Sequence, residues 1–280
     1  ETRPPTGVDG AAETLFAVGN GYLGLRGNPE EGGAARENGT FVNGLHETWP
    51  IEYPEGAYGF ATVGQTIVNA PDAKTVRLWV DGERFDAQAA ELHEYERRLD
   101  LRAGVVTRDL VWRTSSGGRV RVTSRRLVSF TRRHLALLEY TLTPLDAPAT
   151  VRLEALIVNR QDGIGELGAG RAAAGFDPRR SDRLAGRVLL PEAQLASGGR
   201  VGLAYRTARS GQGVAVVAHD RPRGEVAVTL DLATSTVTRR LAAGESLSFE
   251  RLAVWVDDPE APAEELMATA GELLDEAARA

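Results

Sequence analysis

A long series of segments in which apolar and polar residues alternate constrains this chain most. In "KTVRLWVDG", the apolar residues Val76, Leu78 and Val80 alternate with the residues between them, and similar runs recur up to residue 257. A period of two is typical of half-buried β-strands. Turn signals such as Ser197-Gly198-Gly199 separate the runs, and few helical patterns lie between them. The spacing therefore predicts an all-β fold, a large antiparallel β-sandwich, rather than βαβ units.

The C-terminal segment changes to a helical period. Its apolar residues fall on one face of a helix, at Leu266, Ala270, Leu273, Leu274 and Ala277. Pro262 suits the beginning of such a helix. We therefore predict one sandwich domain over residues 1–257 and the start of a helical linker over 258–280.

Composition excludes several classes of function. The chain has 280 residues, 42% of them hydrophobic, and no cysteine, so disulfides, thiol catalysis and thiolate metal sites are excluded. A net charge of -6 argues against nucleic acid as a partner. The single lysine, Lys74, is a poor basis for Schiff-base chemistry. Because no run of 18 apolar residues and no leader pattern occurs, we expect no membrane partner and a cytoplasmic location.

The segment "VGNGYLGLRG" at residues 18–27 has the spacing G-x-G-x-x-G of a dinucleotide-binding fingerprint. Such a site needs a helix that begins at the loop and points its N-terminus at the pyrophosphate. Gly24 and Gly27 weaken a helix here, and Pro29 disfavours helical backbone at the preceding residue. Asn20-Gly21 is instead a strong hairpin signal. We expect a tight connection between two strands and no nucleotide cofactor.

Histidines and carboxylates offer no strong catalytic arrangement. The four histidines lie far apart and share no helical face, so we expect no metal: His46, His93, His134 and His219. A glycosidase needs two carboxylates about 5–9.5 Å apart. The candidates are Glu91, Glu94 and Glu96, and also Asp162 and Glu166. Arg97 and Arg98 favour an ion-paired surface for the first set. The second set falls in residues 159–183, where we predict an exposed loop or a short helical excursion.

Residues 45–61, "LHETWPIEYPEGAYGFA", concentrate aromatic side chains in a chain that is only 6% aromatic. Prolines and glycines in this segment predict a long irregular loop. Aromatic rings stack on sugars while carboxylates and imidazoles bond to hydroxyls, so one interpretation is a carbohydrate-lined rim. The alternative is an Ω-loop whose rings fill its own interior. The residues of the predicted rim are His46, Glu47, Trp49, Tyr53 and Tyr58.

Four segments together resemble the N-terminal domain of glycoside hydrolase family 65, which includes kojibiose, maltose and trehalose phosphorylases and trehalose-cleaving hydrolases. They are "ETLFAVGNGYLGLRG" at 13–27, "GTFVNGLHETWPI" at 39–51, "AYGFATVGQTIVNAPD" at 57–72 and "RRLDLRAGVVTRDLVW" at 97–112. The similarity is nearly continuous from about residue 13 to residue 140, and the later segments agree only in pattern. The second and third segments look most like an actinobacterial subgroup that includes trehalose-acting enzymes.

The resemblance implies a supersandwich of the galactose-mutarotase type, followed by a helical linker and an (α/α)6 catalytic barrel. It implies that the catalytic acid and the phosphate-binding groups lie on that barrel, so residues 1–280 alone would be inactive and need no cofactor. The expected partners are the barrel, an α-glucoside disaccharide in the intact enzyme, and a second copy in a homodimer. The resemblance also implies a structural role for six residues of the first segment, which we call the glycine box: Gly19, Asn20, Gly21, Gly24, Arg26 and Gly27. A carbohydrate-binding module and a mutarotase-like enzyme are the alternatives.

Overall fold

The computed structural model describes residues 1–2, 9–33, 35–36, 38–162, 184 and 186–279. The predicted loop or helical excursion over 159–183 lies outside the described residues from position 163 onward. The helices among these residues are α1 (Gly10–Leu15) and α2 (Ala263–Ala278). The shorter strands of the N-terminal part are β1 (Val18–Gly19), β2 (Leu23–Leu25), β3 (Thr40–Val42), β4 (His46–Pro50), β5 (Val63–Ile67), β6 (Val76–Val80) and β7 (Glu83–Arg84). The remaining strands are β8 (Glu91–Asp100), β9 (Val105–Arg113), β10 (Arg119–Val128), β11 (Leu135–Pro144), β12 (Ala149–Val158), β13 (Leu189–Ser197), β14 (Arg200–Thr207), β15 (Gly213–Arg221), β16 (Glu225–Val228), β17 (Leu232–Leu241) and β18 (Leu247–Asp258).

Two antiparallel sheets form the sandwich, as the alternation predicts. The large sheet has eight strands in the order β13-β14-β15-β18-β11-β10-β9-β8, and the facing sheet has five in the order β16-β17-β12-β6-β7. Inward residues of both sheets meet in one core, which includes Leu78, Trp112, Val151 and Phe249. The same two-residue period that is visible in the sequence selects these residues for burial.

A second core lies under the small N-terminal sheet of β1, β2 and β3. It joins Leu23, Leu25 and Val42 of that sheet to Val216 and Trp255 of the large sheet. The same core includes Ile157 and Ala233 of the five-stranded sheet, so the small sheet shares a core with both sheets of the sandwich.

Helix α2 covers the outer face of the large sheet. Leu266, Ala270 and Leu274 are at most 2% exposed and pack on residues of β14, β15 and β18 such as Val217. This is the apolar face that the sequence predicts. The helix buries its stripe against the sandwich itself, directly after β18.

Charged side chains occupy inward positions between the two cores. Arg108 and Arg126 point inward from β9 and β10, where alternation would place apolar residues. Arg108 forms ion pairs with Glu30 and Glu31, and Arg126 pairs with Glu30 at 3.2 Å. A charged side chain can be buried when an opposite charge pairs with it, as these ion pairs show. The "NPEEGG" segment is therefore part of the interior.

Candidate functional site

One end of the large sheet gathers the features that the sequence singled out. The connections β8–β9, β10–β11 and β14–β15 all lie at this end, since Asp100 pairs with Val105, Ala136 with Val128, and Arg206 with Gly213. Strand β18 also ends here, with Asp258 opposite Gly213. We call this end, formed by residues 100–104, 129–134 and 207–212, the turn face.

The glycine box forms a β-hairpin that is attached to the turn face. Gly19 pairs with Gly24, and the Asn20 amide donates to the Leu23 carbonyl at 3.1 Å. The box connects strand β1 to strand β2, as predicted, and the described residues 26–33 that follow β2 form no helix of the kind that a dinucleotide fingerprint requires. The Asn20 side chain accepts bonds from two amides of its own turn and donates to the Ser129 and Arg133 carbonyls at 2.6 and 2.9 Å.

Tyr22, at the tip of the same hairpin, reaches the end of β18. Its hydroxyl donates to the Asp257 carboxylate at 2.5 Å, and its ring meets His134 edge to face, with centroids 4.5 Å apart. Burial and then Asp257 raise the pKa of Tyr22 far above its ordinary range, so Tyr22 is a donor here and not a base. Burial also lowers the pKa of His134, whose Nδ1 lies 2.8 Å from the Trp255 carbonyl.

The segment "LDLRAG" at residues 99–104, which belongs to the fourth of the family-like segments, also ends at the turn face. Gly104 has a φ of +66°, and a Cβ there would lie 3.0 Å from the Phe130 ring. A left-handed backbone and a close neighbour both require glycine at this position. The glycine box and the segment 99–104 therefore both contact the connection 129–134, although they are far apart along the chain.

Gly21, Gly27 and Arg26 of the glycine box have structural roles. Gly21 has a φ of +89° in the hairpin turn. A Cβ on Gly27 would approach Phe16 to 2.7 Å, which fixes the distance between β2 and α1. Arg26 binds Glu13 at 3.3 Å. A Cβ on Gly24 would meet nothing within 4 Å, and nothing in the structure explains that glycine.

The predicted rim segment forms a projecting hairpin. Residues 46–50 are strand β4 and pair with β5, so the prediction of an irregular loop throughout 45–61 is wrong for its first part. The pairing depends on β5, which lies beyond the aromatic segment, and so the segment alone does not reveal it. We call residues 46–67 the arm; it consists of β4, the connection 51–62 and β5.

The base of the arm is held firmly on the turn face. Glu47 is 1% exposed, and its carboxylate accepts bonds from the Arg209 and Ser210 amides at 2.9 and 2.8 Å. The Ser210 hydroxyl donates to the His46 carbonyl at 2.6 Å, and the His46 amide donates to the Gln212 side chain at 2.8 Å. His46 and Glu47 thus attach the arm to the connection 207–212.

The tip of the arm is exposed to solvent. Trp49 is buried against Gly64, where a Cβ would lie 2.3 Å from the ring, so this aromatic residue belongs to the arm's own packing. Tyr53 and Phe60 contact each other with ring centroids 4.8 Å apart. Tyr58 is fully exposed. The predicted rim residues are therefore divided between a buried base and an open tip.

Several of the remaining candidates have structural partners. Glu91 lies 3.2 Å from His93, and Glu96 pairs with Arg98 at 2.7 Å, both on the edge strand β8. Asp162 accepts bonds from the Val188 and Leu189 amides, while Glu166 lies outside the described residues. Lys74 is buried beside Asp72, at 3.2 Å.

Two negative findings apply to the part of the chain that the structure describes. There, no group of three or more histidine or carboxylate side chains is arranged to hold a metal ion. Neither of the helices found there combines the length and the apolar character that crossing a bilayer requires.

The fold and the sequence together define the family to which this chain belongs. A solved structure from the human microbiome, assigned as a kojibiose phosphorylase, superposes with a TM-score of 0.82 over 96% of this chain and 34% of that chain, at 19% identity. The family model described as "Glycosyl hydrolase family 65, N-terminal domain" matches residues 5–280. This chain belongs to that family, as the four segments indicate.

Curated relatives include two kinds of disaccharide phosphorylase. An alpha,alpha-trehalose phosphorylase of Thermoanaerobacter brockii is 38% identical over 181 residues, which is 63% of this chain and 22% of the relative. A kojibiose phosphorylase of Escherichia coli K12 is 39% identical over 140 residues, which is 49% of this chain and 17% of the relative. The matched part of this chain thus spans about a fifth of the length of these relatives.

Proposed function

We propose that this chain is the non-catalytic N-terminal domain of a cytoplasmic family 65 enzyme that acts on trehalose-type or kojibiose-type α-glucosides. Its role is to shape the substrate pocket and to support contacts with the catalytic barrel and a second subunit. Family membership and the relatives' activities support the substrate class. The observation that carries the role is the arm, because its base is fixed by buried hydrogen bonds while its aromatic tip is open.

The chemistry of such an enzyme defines what the arm contributes. A barrel carboxylic acid would protonate the glycosidic oxygen while phosphate, or a water activated by a second carboxylate, attacks the anomeric carbon from the opposite face. None of these groups is supplied by the arm. Tyr53 and Tyr58 instead offer ring faces to a sugar, and His46 and Glu47 keep those rings in place through the connection 207–212.

Activity and binding assays on residues 1–280 test the non-catalytic role. We expect no turnover of trehalose or kojibiose, with or without phosphate, and no calorimetric binding tighter than about 1 mM. Turnover that persists through purification would overturn the proposal. Tighter binding in the absence of turnover would instead show an autonomous carbohydrate-binding module.

A chimera tests the pocket-shaping role. Residues 1–280 replace the corresponding segment of the Thermoanaerobacter brockii trehalose phosphorylase, and Tyr53→Ala and Tyr58→Ala are introduced singly. We expect a higher KM for the disaccharide with a smaller change in kcat, because the rings would contact sugar and not the reacting atoms. Leu190→Ala, at an exposed apolar residue outside the arm, serves as the control. An unchanged KM in both tyrosine variants would refute the pocket-shaping role.

A further inference from the structure

A small internal cavity lies against strands β10, β11 and β18, which contribute Arg126, Leu138 and Arg251 to its lining. Its volume is about 10 Å³, which is room for one particle the size of a water molecule. The charged residues among its described lining are Lys74, Arg126 and Arg251, and all three are cations. The rest of that lining is apolar, as at Leu25 and Leu138. Three positive charges therefore meet at a cavity to which no carboxylate of the described lining belongs.

Arg251 and Arg126 differ in how far their hydrogen-bond donors are used. Arg251 donates through Nε and Nη2 to the Asp220 carboxylate, both at 2.7 Å, and through Nη1 to backbone carbonyls. Arg126 donates through Nη1 to the Asn28 carbonyl at 3.1 Å, and the same atom lies 3.2 Å from the Glu30 carboxylate. Arg126 is 1% exposed, and its Nε and Nη2 have no hydrogen-bond partner among the described residues. Buried donors of a charged group require an acceptor, so Arg126 can still bind one.

Lys74 is a second cation that its partner neutralises only in part. Its Nζ lies 3.2 Å from Asp72, but that carboxylate also pairs with Arg160 at 2.7 Å. Burial lowers the pKa of Lys74 to about 8; Asp72 opposes this shift, and the charges of Arg160 and Arg126 add to it. Lys74 and Arg126 thus repel each other inside the protein, and an anion between them relieves that repulsion.

The buried charges around the cavity do not balance. The ion-paired groups that include the three lining cations contain five cations and four carboxylates, which leaves one positive charge in excess. Arg97, whose charge also acts on Glu30, adds a further positive charge. A buried charge without a counter-charge is costly, so this part of the interior favours the uptake of an anion. The groups counted are Lys74, Arg108, Arg126, Arg160, Arg251, Glu30, Glu31, Asp72 and Asp220.

We propose that this cavity binds one chloride ion, held by the guanidinium of Arg126 and the ammonium of Lys74. The volume accommodates a monatomic ion and is too small for phosphate or a carboxylate. The apolar part of the lining excludes water, which strengthens the attraction between the ion and its two cations. The chloride would join β10 to the segment between β5 and β6, so its role is structural. This inference goes beyond the proposed function and does not depend on it.

Urea unfolding at different chloride concentrations tests the site. Sodium chloride is varied between roughly 1 mM and 1 M, and sodium gluconate, whose anion is too large for the cavity, keeps the ionic strength constant. We expect the unfolding equilibrium constant to fall about tenfold for each tenfold rise in chloride above its dissociation constant. Lys74→Met should lose this dependence. Arg121→Met, which removes an exposed cation paired with Asp109, is the matched control and should keep it.

Bromide locates the ion without any substitution. In crystals of the unmodified chain grown in sodium bromide, we expect an anomalous peak within hydrogen-bond distance of Arg126 Nε and Nη2. A water molecule at that position, or bromide peaks at the protein surface alone, would overturn the proposal. Stability that is indifferent to chloride, or a chloride dependence that Lys74→Met retains, would overturn it as well. These measurements involve neither turnover nor sugar binding, so their failure is distinguishable from failure of the proposed function.

Discussion

At the scale of single residues, Asn20 connects two turns that lie 109 residues apart in the chain. Its side chain makes four hydrogen bonds to backbone groups, so Asn20→Ala removes all of them and leaves two carbonyls without their donor. We expect the free energy of unfolding to fall by about 1–3 kcal/mol. Urea unfolding measures this change. Asn43→Ala, in the exposed Asn43-Gly44 turn, should change stability by less than about 0.5 kcal/mol; equal losses would contradict the anchoring role.

Lys74 is expected to make the folding stability depend on pH in the alkaline range. Burial lowers the pKa of Lys74 to about 8 from the ordinary 10.5, although Asp72 opposes the shift. Between these values the unfolded chain holds a proton that the folded chain has released, so Lys74 makes stability rise with pH. We expect the stability of the unmodified chain relative to Lys74→Met to increase by on the order of 1–3 kcal/mol from pH 7 to 10. A pH-independent difference would contradict this.

Single residues also show where prediction from sequence stops. The turn at Asn20-Gly21 is predictable because hairpin geometry is local. The role of Glu47 is not, because its partners Arg209 and Ser210 come from a distant connection. The burial of Glu30 could have been anticipated only from the unusual inward position of Arg126 in an alternating strand.

At the scale of elements, the arm depends on close packing between its two strands. Gly64 of β5 lies under the Trp49 ring, and a Cβ there would be 2.3 Å from it. Gly64→Ala should therefore separate β4 from β5 and make the arm more susceptible to limited proteolysis. Gly56→Ala, where a Cβ would meet nothing within 4 Å, is the control. Equal cleavage of both variants would show that the ring does not hold the strands together.

Helix α2 behaves as part of the sandwich in its packing. Leu274 is 1% exposed in the core between α2 and the large sheet. Leu274→Ala should cost about 2–5 kcal/mol within a single cooperative unfolding transition. Glu272→Ala, on the exposed side, should change little. A separate early transition of the helix in thermal unfolding would instead mark α2 as an independent linker.

The sequence predicts long elements better than short ones. Apolar residues recur every 3.6 positions in α2 and every second position in β6 and in the strands of the large sheet. Each of these patterns lies entirely within its own element, so the sequence reveals it. Strands β4 and β5 are only five residues long, and pairing between them, rather than any local pattern, defines them. The sequence therefore predicts an irregular loop over residues 45–61, where the structure forms strand β4.

At the scale of the whole molecule, the charges between the two cores make folding sensitive to acid. Burial raises the pKa of Glu30, but the charges of Arg108, Arg126 and Arg97 outweigh burial and lower it to about 2 from 4.5. Burial also raises the pKa of Asp72, but the charges of Lys74 and Arg160 outweigh burial and lower this pKa below its ordinary value. Because both folded-state pKa values lie below their unfolded values, the unfolded chain takes up protons first as the pH falls.

The lowered pKa of Glu30 defines the pH range in which its contribution to stability is lost. The stabilisation from Glu30 is complete above about pH 4.5 and is lost as the pH falls towards 2. Glu30→Gln should be less stable at neutral pH, because Arg108 and Arg126 lose a partner, yet its stability should fall less steeply between pH 5 and about 2.5. Urea midpoints across that range measure the slope. Glu276→Gln, exposed on α2, should keep the slope of the unmodified chain; a Glu30→Gln slope equal to it would show that the interior carboxylate does not control acid unfolding.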